Sequence, residues 1–311
     1  MYNPSKPYKE QILNLISETW DTPFITVEKG IYPIFKETFD YKKVDHTDGI
    51  GTKGDYHWQK KTLKNATLDA MAMNLNDLAL VRAVPYKLQN HITIPEDDRG
   101  YILDVVGVLS EECKKMNIAI TGGETSIHEN IPTIDISITV SGFIKNLKSN
   151  MCKAGDVLIG IKSSGLHSNG FTKVREVFGD EFRDEFTHPT KIYLDEVLDV
   201  CDRYRVNGMM HITGGAFTKL KDISKDVDIN IYKNDNLLPQ DIFYEIYNKG
   251  VTDKDMYKTF NCGIGFILSV PRNEKDKIIS DVTDAYEIGS VSAGNGTILI
   301  ESSFSRSIVK Y

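Results

Sequence analysis

The spacing of apolar residues predicts most of the secondary structure of this chain. Apolar residues at helical spacing predict helices over 10–20 and 102–117, and a run rich in Ala, Leu and Met without Gly or Pro predicts a buried helix over 66–83. Residues 133–144 alternate between Ile or Val and polar side chains, which predicts a strand with one apolar and one polar face. Shorter runs predict strands over 31–39, 118–121, 155–161, 229–232, 264–270 and 297–300, and short helices over 171–178 and 255–260.

The order of these elements predicts a mixed α/β protein with two domains. Residues 145–154 break the apolar pattern and a new strand begins at 155, so we place the boundary near 148. We expect an N-terminal domain over 1–148 and a C-terminal domain over 149–311. Turns with glycine or other small residues lie near 48, 122, 163 and 213, in both halves, and this distribution favours one cleft between the two domains.

Composition narrows the classes of protein. The net charge of −7, from 37 basic and 44 acidic residues among 311, argues against a dedicated nucleic-acid binder. The chain has no apolar run of the ~20 residues that span a bilayer, and residues 1–8 lack the apolar core of a signal peptide. The four cysteines have no CxxC spacing, which predicts reduced, unligated thiols in a cytoplasmic protein.

The segment Asp48-Gly-Ile-Gly-Thr-Lys53 carries a carboxylate, a hydroxyl and an ammonium on a glycine-bearing turn. Gly49 and Gly51 let backbone N–H groups approach an anion closely. Lys53 can meet phosphate charge, and carboxylates can hold Mg²⁺ against phosphate oxygens. We interpret the segment as part of a metal–nucleotide site; the alternative is a solvated hairpin turn.

The predicted helix over 66–83 carries three polar side chains that fit the same site. Asp69 and Asn76 are two helical turns apart and share a face, and Asp77 lies about 80° further round. Polar groups on an apolar helix are costly to bury without a partner, which favours metal or phosphate binding. The alternative is that Asn76 and Asp77 brace a neighbouring loop.

Three later segments place polar groups beside glycine. Gly122-Gly-Glu124 follows a short predicted strand. In one interpretation it places a functional group at the edge of a sheet, and in the other it is a plain strand-to-loop turn. Ser163-Ser-Gly-Leu-His-Ser-Asn-Gly170 joins a strand to a helix, the layout of an anion cradle. His167 in this loop contacts substrate or transfers a proton in one interpretation, and hydrogen-bonds only its own loop in the other. His211-Ile-Thr-Gly-Gly215 is a similar turn.

Eight segments, in order and between about 45 and 290, resemble the aminoimidazole ribonucleotide synthetase (phosphoribosylformylglycinamidine cyclo-ligase) family. They are Asp48-Gly-Ile-Gly-Thr-Lys53, Met71-Ala-Met-Asn-Leu-Asn-Asp-Leu78, Gly122-Gly-Glu-Thr125, Gly155-Asp-Val-Leu-Ile159, Ser163-Ser-Gly-Leu-His-Ser-Asn-Gly170, Pro189-Thr-Lys-Ile-Tyr193, His211-Ile-Thr-Gly-Gly215 and Thr259-Phe-Asn-Cys-Gly-Ile-Gly265. Each segment is modest alone, but the ordered set is specific.

The resemblance implies two α/β domains, with an N-terminal sheet that pairs with a second subunit in a barrel-like homodimer and a C-terminal sheet packed with helices. It implies ATP, Mg²⁺ and formylglycinamidine ribonucleotide as ligands, with ADP, phosphate and aminoimidazole ribonucleotide as products in purine biosynthesis. The formyl amide oxygen is a poor leaving group, so it is phosphorylated before an amidine nitrogen closes the ring. Such an enzyme mainly positions its two substrates and stabilises charge on the moving phosphoryl group.

The resemblance also implies roles for individual residues. Metal binding falls to Asp48, Asp69 and Asp77. Catalysis falls to His167, Lys53 and Asp48. Binding of nucleotide and substrate falls to Gly49, Gly51, Thr52, Lys53, Asn76, Gly122, Gly123, Glu124, Ser168, Asn169, Gly214 and Gly215.

The chain departs from the family pattern at three places and resembles a divergent, shortened member. Tyr8-Lys-Glu-Gln11 lacks a glycine, Arg82-Ala-Val-Pro85 lacks a glycine and an acid, and Thr218-Lys-Leu-Lys-Asp-Ile223 replaces an Asn-x-Pro-Arg element. These differences put the geometry of the nucleotide lid and the affinity for substrate in question.

Two alternatives to this function stay open. One is another ATP-using enzyme of the superfamily, such as formylglycinamidine synthetase, selenophosphate synthetase or thiamine-phosphate kinase. The other is a catalytically silent dimeric scaffold.

Overall fold

Two units make up the chain, Met1–Leu147 and Lys148–Tyr311. The computed structural model describes residues 8–311. Residues 1–7, most of the segment for which the sequence predicts no signal peptide, lie outside the described part. Each unit contains a main β-sheet with helices, which confirms the predicted mixed α/β class.

The first unit contains four helices and six strands within the described residues. In chain order they are α1 Lys9–Ser17, β1 Ile25–Glu28, β2 Ile34–Glu37, β3 Lys42–Gly49, α2 Gly54–Lys60, α3 Leu63–Leu80, β4 Val84–Ile94, α4 Arg99–Lys115, β5 Ala119–Ile127 and β6 Asp135–Ile144. The predicted helices α1, α3 and α4 are present with ends shifted by one to three residues, as is usual for helix termini.

The main sheet of this unit has the strand order β3-β6-β4-β5, with β4 and β5 parallel and the other pairs antiparallel. Alternate residues of β6, Ile136, Ile138 and Val140, are buried on the face that α3 contacts. The residues between them point to the opposite face, because successive strand side chains alternate. We call that opposite surface the polar face; it contains Thr47, Gln89, His91, Glu124, Ser137 and Thr139.

A two-stranded hairpin of β1 and β2 packs beside this sheet. Ile25 from the hairpin joins Tyr86 and Phe143 of the sheet in a buried cluster, which Phe39 covers at its edge. The predicted strand over 31–39 is therefore shorter, as β2, and β3 is the strand that leads into the Asp48 turn. The residues between them turn the chain so that both strands can pack on one aromatic cluster.

The structure of this unit differs from the sequence-based interpretation at two other places. The segment Gly122–Thr125 is not a turn, because β5 runs through it paired with β4. An added Cβ on Gly123 would lie 2.7 Å from the side-chain nitrogen of Asn90, its partner on β4, so the Asn90 side chain occupies the space beside this glycine. The strand β4 was not predicted, since its polar residues interrupt the apolar pattern; it begins at Val84, so Pro85 lies inside it.

The second unit contains five helices and seven strands. In chain order they are β7 Asp156–Lys162, α5 Phe171–Phe178, α6 Leu194–Arg203, β8 Gly208–His211, β9 Val227–Ile231, α7 Asp241–Asn248, α8 Asp253–Thr259, β10 Ile264–Pro271, α9 Lys275–Asp281, β11 Ala285–Ala293, β12 Ile298–Glu301 and β13 Ile308–Lys310. The predicted helix over 171–178 is α5 without change.

All strands of this unit form one sheet in the order β13-β12-β9-β11-β7-β10-β8. Neighbouring strands are antiparallel except β9 and β12, which are parallel. Nearly every residue of the central strands β7 and β10 is buried, which explains their continuous apolar runs. The loops that follow β7 and β8 carry the predicted site residues of this unit.

Among the described helices, none combines the length and the apolar character that crossing a membrane requires.

Two glycines of the first unit predict opposite changes in stability. Gly107 lies inside α4 with no atom within 4 Å of an added Cβ, so Gly107→Ala should raise the free energy of unfolding by about 0.5–1 kcal/mol. Gly142 of β6 would place a Cβ 2.9 Å from the Cβ of Ala83, so Gly142→Ala should lower it by about 1–3 kcal/mol. Both tryptophans, Trp20 and Trp58, lie in this unit, so urea unfolding followed by tryptophan fluorescence measures both changes. Equal effects of the two variants would contradict the packing described here.

Candidate functional site

The end of β3 and the turn after it lie against α3. Asp48 is the second-last residue of β3, and a 3₁₀ turn over Gly51–Lys53 leads into α2. The side-chain amide of Asn74 on α3 donates to the backbone carbonyl of Asp48 at 3.1 Å. Gly51 has a φ of 55°, and it is exposed together with Thr52. This part of the turn is therefore accessible to a ligand, as the prediction of an anion site requires.

His46 connects the strand before the turn to two polar residues of α3. Its Nδ1 lies 3.0 Å from Oδ1 of Asn74, and its Nε2 lies 3.3 Å from Oδ2 of Asp77. The hydrogen bond with Asp77 raises the pKa of His46 most, burial opposes it, and Asn74 and the charges of Asp77 and Asp48 add to the rise. Because both carboxylates act on His46, the structure brings the predicted metal ligands Asp48 and Asp77 into one neighbourhood.

Lys53 and Asp69, predicted to contact phosphate and metal, form an ion pair with each other in the interior. Lys53 Nζ lies 2.8 Å from Oδ2 of Asp69, and neither side chain is exposed. His57 on α2 places its Nε2 2.8 Å from the same oxygen and is also buried. The predicted ligand roles of Lys53 and Asp69 stay predictions, and the described contacts direct both groups away from the exposed part of the turn.

The pKa shifts of this cluster describe a carboxylate held between two nitrogen groups. Burial alone would raise the pKa of Asp69, but the charge of Lys53 and the hydrogen bonds from His57 and Lys53 outweigh burial and lower that pKa to about 2. Burial lowers the pKa of His57, and Asp69 only partly opposes the shift. Burial also lowers the pKa of Lys53. At neutral pH we therefore assign an ionised Asp69 and a neutral His57.

Asn76 and Asp77, the other predicted site residues of α3, differ in exposure. Asn76 is buried, and the Asp77 side chain is 17% exposed. Residues 8–311 contain no group of three or more His, Cys, Asp or Glu side chains arranged to hold a metal ion.

Glu124 lies on the polar face of the sheet, away from Asp48. The register aligns Gly49, Ser137, His91 and Glu124 across the four strands, whereas Asp48 belongs to the next row. Neighbouring rows point to opposite faces, and β3 and β5 are the two sheet edges, about 14 Å apart at ~4.8 Å per strand. The unit therefore does not bring Gly122, Gly123 and Glu124 to the Asp48 turn.

In the second unit, the loop after β7 joins two other predicted segments. Ser168 Oγ lies 2.9 Å from Oγ1 of Thr190, and the amide of Asn169 donates to Oγ1 of Thr213 at 2.6 Å. Gly214 and Gly215 follow Thr213 and are both exposed, and Gly215 has a φ of 80°. Small polar side chains thus hold the loop, the Pro189-Thr-Lys segment and the Gly214–Gly215 turn together.

His167 is buried inside this loop. Its φ is 61°, and its Nε2 accepts the backbone N–H of Ser164 at 3.1 Å. Since Nε2 accepts a hydrogen bond, the proton of the neutral ring resides on Nδ1. This contact agrees with the interpretation that His167 orders its own loop, and its role in proton transfer stays a prediction.

Sequence reasoning missed His46, His57 and Asn74 as site residues. His57 follows Lys53 by four residues, so helical spacing places both on one face. Asn74 precedes Asp77 by three residues on α3 for the same reason. His46 lies two residues before Asp48, so both point to the same side of a strand. These spacings are the signals that could have found them.

Family models match both units. The model "AIR synthase related protein, N-terminal domain" matches residues 34–144, and "AIR synthase related protein, C-terminal domain" matches residues 153–301.

Curated relatives match over most of their length. A phosphoribosylformylglycinamidine cyclo-ligase of Methanococcus vannielii is 37% identical, covering 86% of this chain and 81% of the relative. One of Saccharolobus solfataricus is 33% identical, covering 93% and 90%. Among solved structures, the hydrogenase maturation protein HypE in complex with ATP is 15% identical with a TM-score of 0.71, covering 99% of this chain and 95% of that one. At this identity, the last match indicates a shared fold only.

The buried His57 predicts a pH dependence of stability. Its folded pKa lies below the usual 6.5, so below pH 6.5 the unfolded chain binds a proton that the folded chain does not. Stability is therefore complete above pH 6.5 and decreases as the pH falls, by at most about 1.4 kcal/mol per pH unit. The pKa of His46 is shifted in the opposite direction, so the pH dependence of the wild type alone does not isolate His57. The test therefore compares the stability of wild type and His57→Gln at pH 7.5 and 5.5, using urea unfolding and tryptophan fluorescence. The wild type should lose more stability than the variant; equal losses would contradict a neutral buried His57.

Proposed function

The chain belongs to the AIR synthase related proteins, and on that premise we propose the reaction that it catalyses. The reaction is the ATP-dependent ring closure of formylglycinamidine ribonucleotide to aminoimidazole ribonucleotide, with ADP and phosphate as the other products. The observation that carries this assignment is the match over most of the chain to relatives named phosphoribosylformylglycinamidine cyclo-ligase, at up to 37% identity. The enzyme is therefore a ligase of purine biosynthesis.

In this proposal, the Asp48 turn binds the phosphate end of the nucleotide. Gly51 and Thr52 expose backbone at the turn, and Asp48 provides charge beside it. Backbone N–H groups in such a turn bind anionic oxygens directly. The loop around Ser168 and Asn169, with the Gly214–Gly215 turn, binds the substrate in the second unit. Binding both reactants in fixed positions supplies much of the rate in reactions of this type.

The carboxylates of the first unit fit a Mg²⁺ ion that is held mainly by phosphate and water. Mg²⁺ usually takes one or two protein carboxylates and completes its shell with phosphate oxygens and water. Asp48 and Asp77 both act on His46 and would hold the ion. In this proposal Asp69 is not a third ligand, because its side chain is fully buried beside Lys53 and His57. When bound, the ion neutralises phosphate charge.

The polar face of the first unit supports a homodimer as part of the proposal. It lies opposite the face that α3 covers, and Thr47, Gln89, His91 and Glu124 on it are exposed. Polar side chains on a flat sheet can pair with the same face of a second copy around a two-fold axis. The four cysteines are free and buried, which fits a reducing compartment, so we place the enzyme in the cytoplasm.

The test is phosphate release from Mg-ATP by the purified protein, with and without formylglycinamidine ribonucleotide. We expect release that depends on this substrate and forms aminoimidazole ribonucleotide one for one. A folded protein without substrate-dependent release would refute the assignment and favour the scaffold alternative. Release that depends on a different phosphate acceptor would favour another enzyme of the superfamily.

Asp48→Asn separates chemistry from folding at the turn. Asn74 binds the backbone carbonyl of Asp48, and an asparagine Oδ1 can still accept the Gly49 N–H, so the fold keeps its contacts. Turnover should fall by about a hundredfold or more, with stability changed by less than about 0.5 kcal/mol. Asp104→Asn, which removes an exposed charge from α4, is the matched control and should keep full turnover. Normal turnover of Asp48→Asn would remove Asp48 from the site.

Thr139→Arg tests the homodimer. Thr139 contacts Thr47 at 2.8 Å in the centre of the polar face, so an arginine there places charge and bulk in the proposed interface. Sedimentation velocity should show a dimer for the wild type and a monomer for the variant, while Asp104→Arg on α4 stays dimeric. A wild-type monomer, or a dimeric Thr139→Arg, would contradict an interface at this face.

A further inference from the structure

Three ionisable side chains of the first unit are buried without any exposure to water. Lys53, His57 and Asp69 each have 0% relative exposure. Lysine and aspartate are almost never fully buried unless they are paired. A buried ion pair contributes little net stability compared with apolar side chains of similar volume, so stability alone does not account for this cluster.

The hydrogen bonds of His57 define how the cluster is connected. Asp69 can only accept at neutral pH, so the Nε2–H of His57 donates to it, over 2.8 Å. The Nδ1 of His57 then accepts from the hydroxyl of Thr62 at 2.9 Å. The backbone N–H of Thr62, the residue before α3, also donates to the carbonyl of His57 at 3.0 Å. The network therefore joins the end of the 48–53 turn, α2 and the start of α3.

The same helix also holds the other end of the turn. Asn74 donates to the carbonyl of Asp48 at 3.1 Å, and Asp69, five residues earlier on α3, binds Lys53 at 2.8 Å. The exposed residues Gly51 and Thr52 lie between these two attachments. The first and last residues of the turn are thus attached to one rigid element, and Gly51 and Thr52 between them are accessible.

We propose that Lys53, His57 and Asp69 are positioning residues for the phosphate-binding turn, and that none of them contacts the nucleotide or its metal. This inference rests on the proposed function, whose nucleotide site it places on the backbone of Gly51 and Thr52. Their role is to hold the turn in the conformation that binds the phosphate chain of a nucleoside triphosphate, because a small misplacement of bound groups slows a reaction strongly.

A direct contact between Lys53 and phosphate conflicts with the geometry. The ammonium would have to leave Asp69, and the buried carboxylate would then lose the cation that lies 2.8 Å from it. An uncompensated buried charge is strongly unfavourable.

The experiment compares His57→Leu with His57→Gln. Leucine removes the donor to Asp69, whereas the glutamine amide can still donate to it. We measure kcat, KM for Mg-ATP, the thermal midpoint and hydrogen–deuterium exchange of the peptide covering residues 49–53. His57→Leu should lower kcat by about tenfold to a hundredfold and speed exchange in this peptide. His57→Gln should restore slow exchange and bring kcat within about fivefold of wild type.

Thr19→Val is the matched control for buried hydrogen bonding in the same unit. Thr19 is 2% exposed, donates to the carbonyl of Ile16 at 2.6 Å and accepts the N–H of Ile120 at 2.8 Å, so both of these hydrogen bonds join residues outside the turn. The variant should lower the thermal midpoint and leave both kcat and exchange at 49–53 unchanged. If His57 has a purely structural role, His57→Leu should likewise lower the thermal midpoint and leave kcat and exchange at 49–53 unchanged. That result would overturn the proposal.

The remaining outcomes also decide. If His57→Leu does not fold, the double variant Lys53→Met with Asp69→Leu is used instead, because it removes both charges together. Fast exchange at 49–53 with a low kcat in this double variant would support the proposal. Exchange and kcat equal to those of the wild type would overturn the proposal. If the double variant shows a large rise in KM for Mg-ATP and unchanged exchange at 49–53, Lys53 contacts the nucleotide, and this result would also overturn the proposal. A wild-type protein without substrate-dependent turnover refutes the proposed function, whereas the exchange comparison still tests the role of His57.

Discussion

The ion pair between Lys53 and Asp69 has no contact with water, and the geometry of the first site cluster depends on it. A charge in the interior requires a partner in one defined position, so the pair determines where the 48–53 turn ends relative to α3. His57 donates to the same oxygen and links the pair to the residue before α3. The turn is therefore positioned by its contacts with α3. The accessible residues Gly51 and Thr52 are held in place without a charged side chain of their own.

The alternation of side chains along strands separates two surfaces of the first unit. Residues in the row of Asp48 point towards α3, and residues in the row of Glu124 point to the polar face. The proposed nucleotide site therefore lies on one side of the sheet, and the proposed contact with a second copy of the chain lies on the other. In the second unit, short hydroxyl and amide side chains from three loops bind each other and so hold the candidate substrate residues in place.

Much of the fold could be predicted from the sequence, because the strongest elements carry uninterrupted patterns. The helices α3 and α4 and the strands β6, β7 and β10 are long apolar or alternating runs, and the structure contains them within a few residues. The strand β4 was missed because its burial depends on neighbouring strands rather than on its own composition. For the same reason Gly122–Thr125 looked like a turn, although it pairs with β4 over its full length.

The sequence by itself determined the family, the α/β class and the segments that carry the candidate site residues, because ordered motifs and periodicity are local properties of the chain. Only the tertiary structure decided which of those residues meet. It paired Lys53 with Asp69, added His57 and His46, and separated Glu124 from Asp48 by the width of a four-stranded sheet. Side-chain partners depend on strand order and helix orientation, which bring together residues distant in sequence. Spacing along the chain does not encode that order, so a carboxylate that reads as a metal ligand can fold into an ion pair.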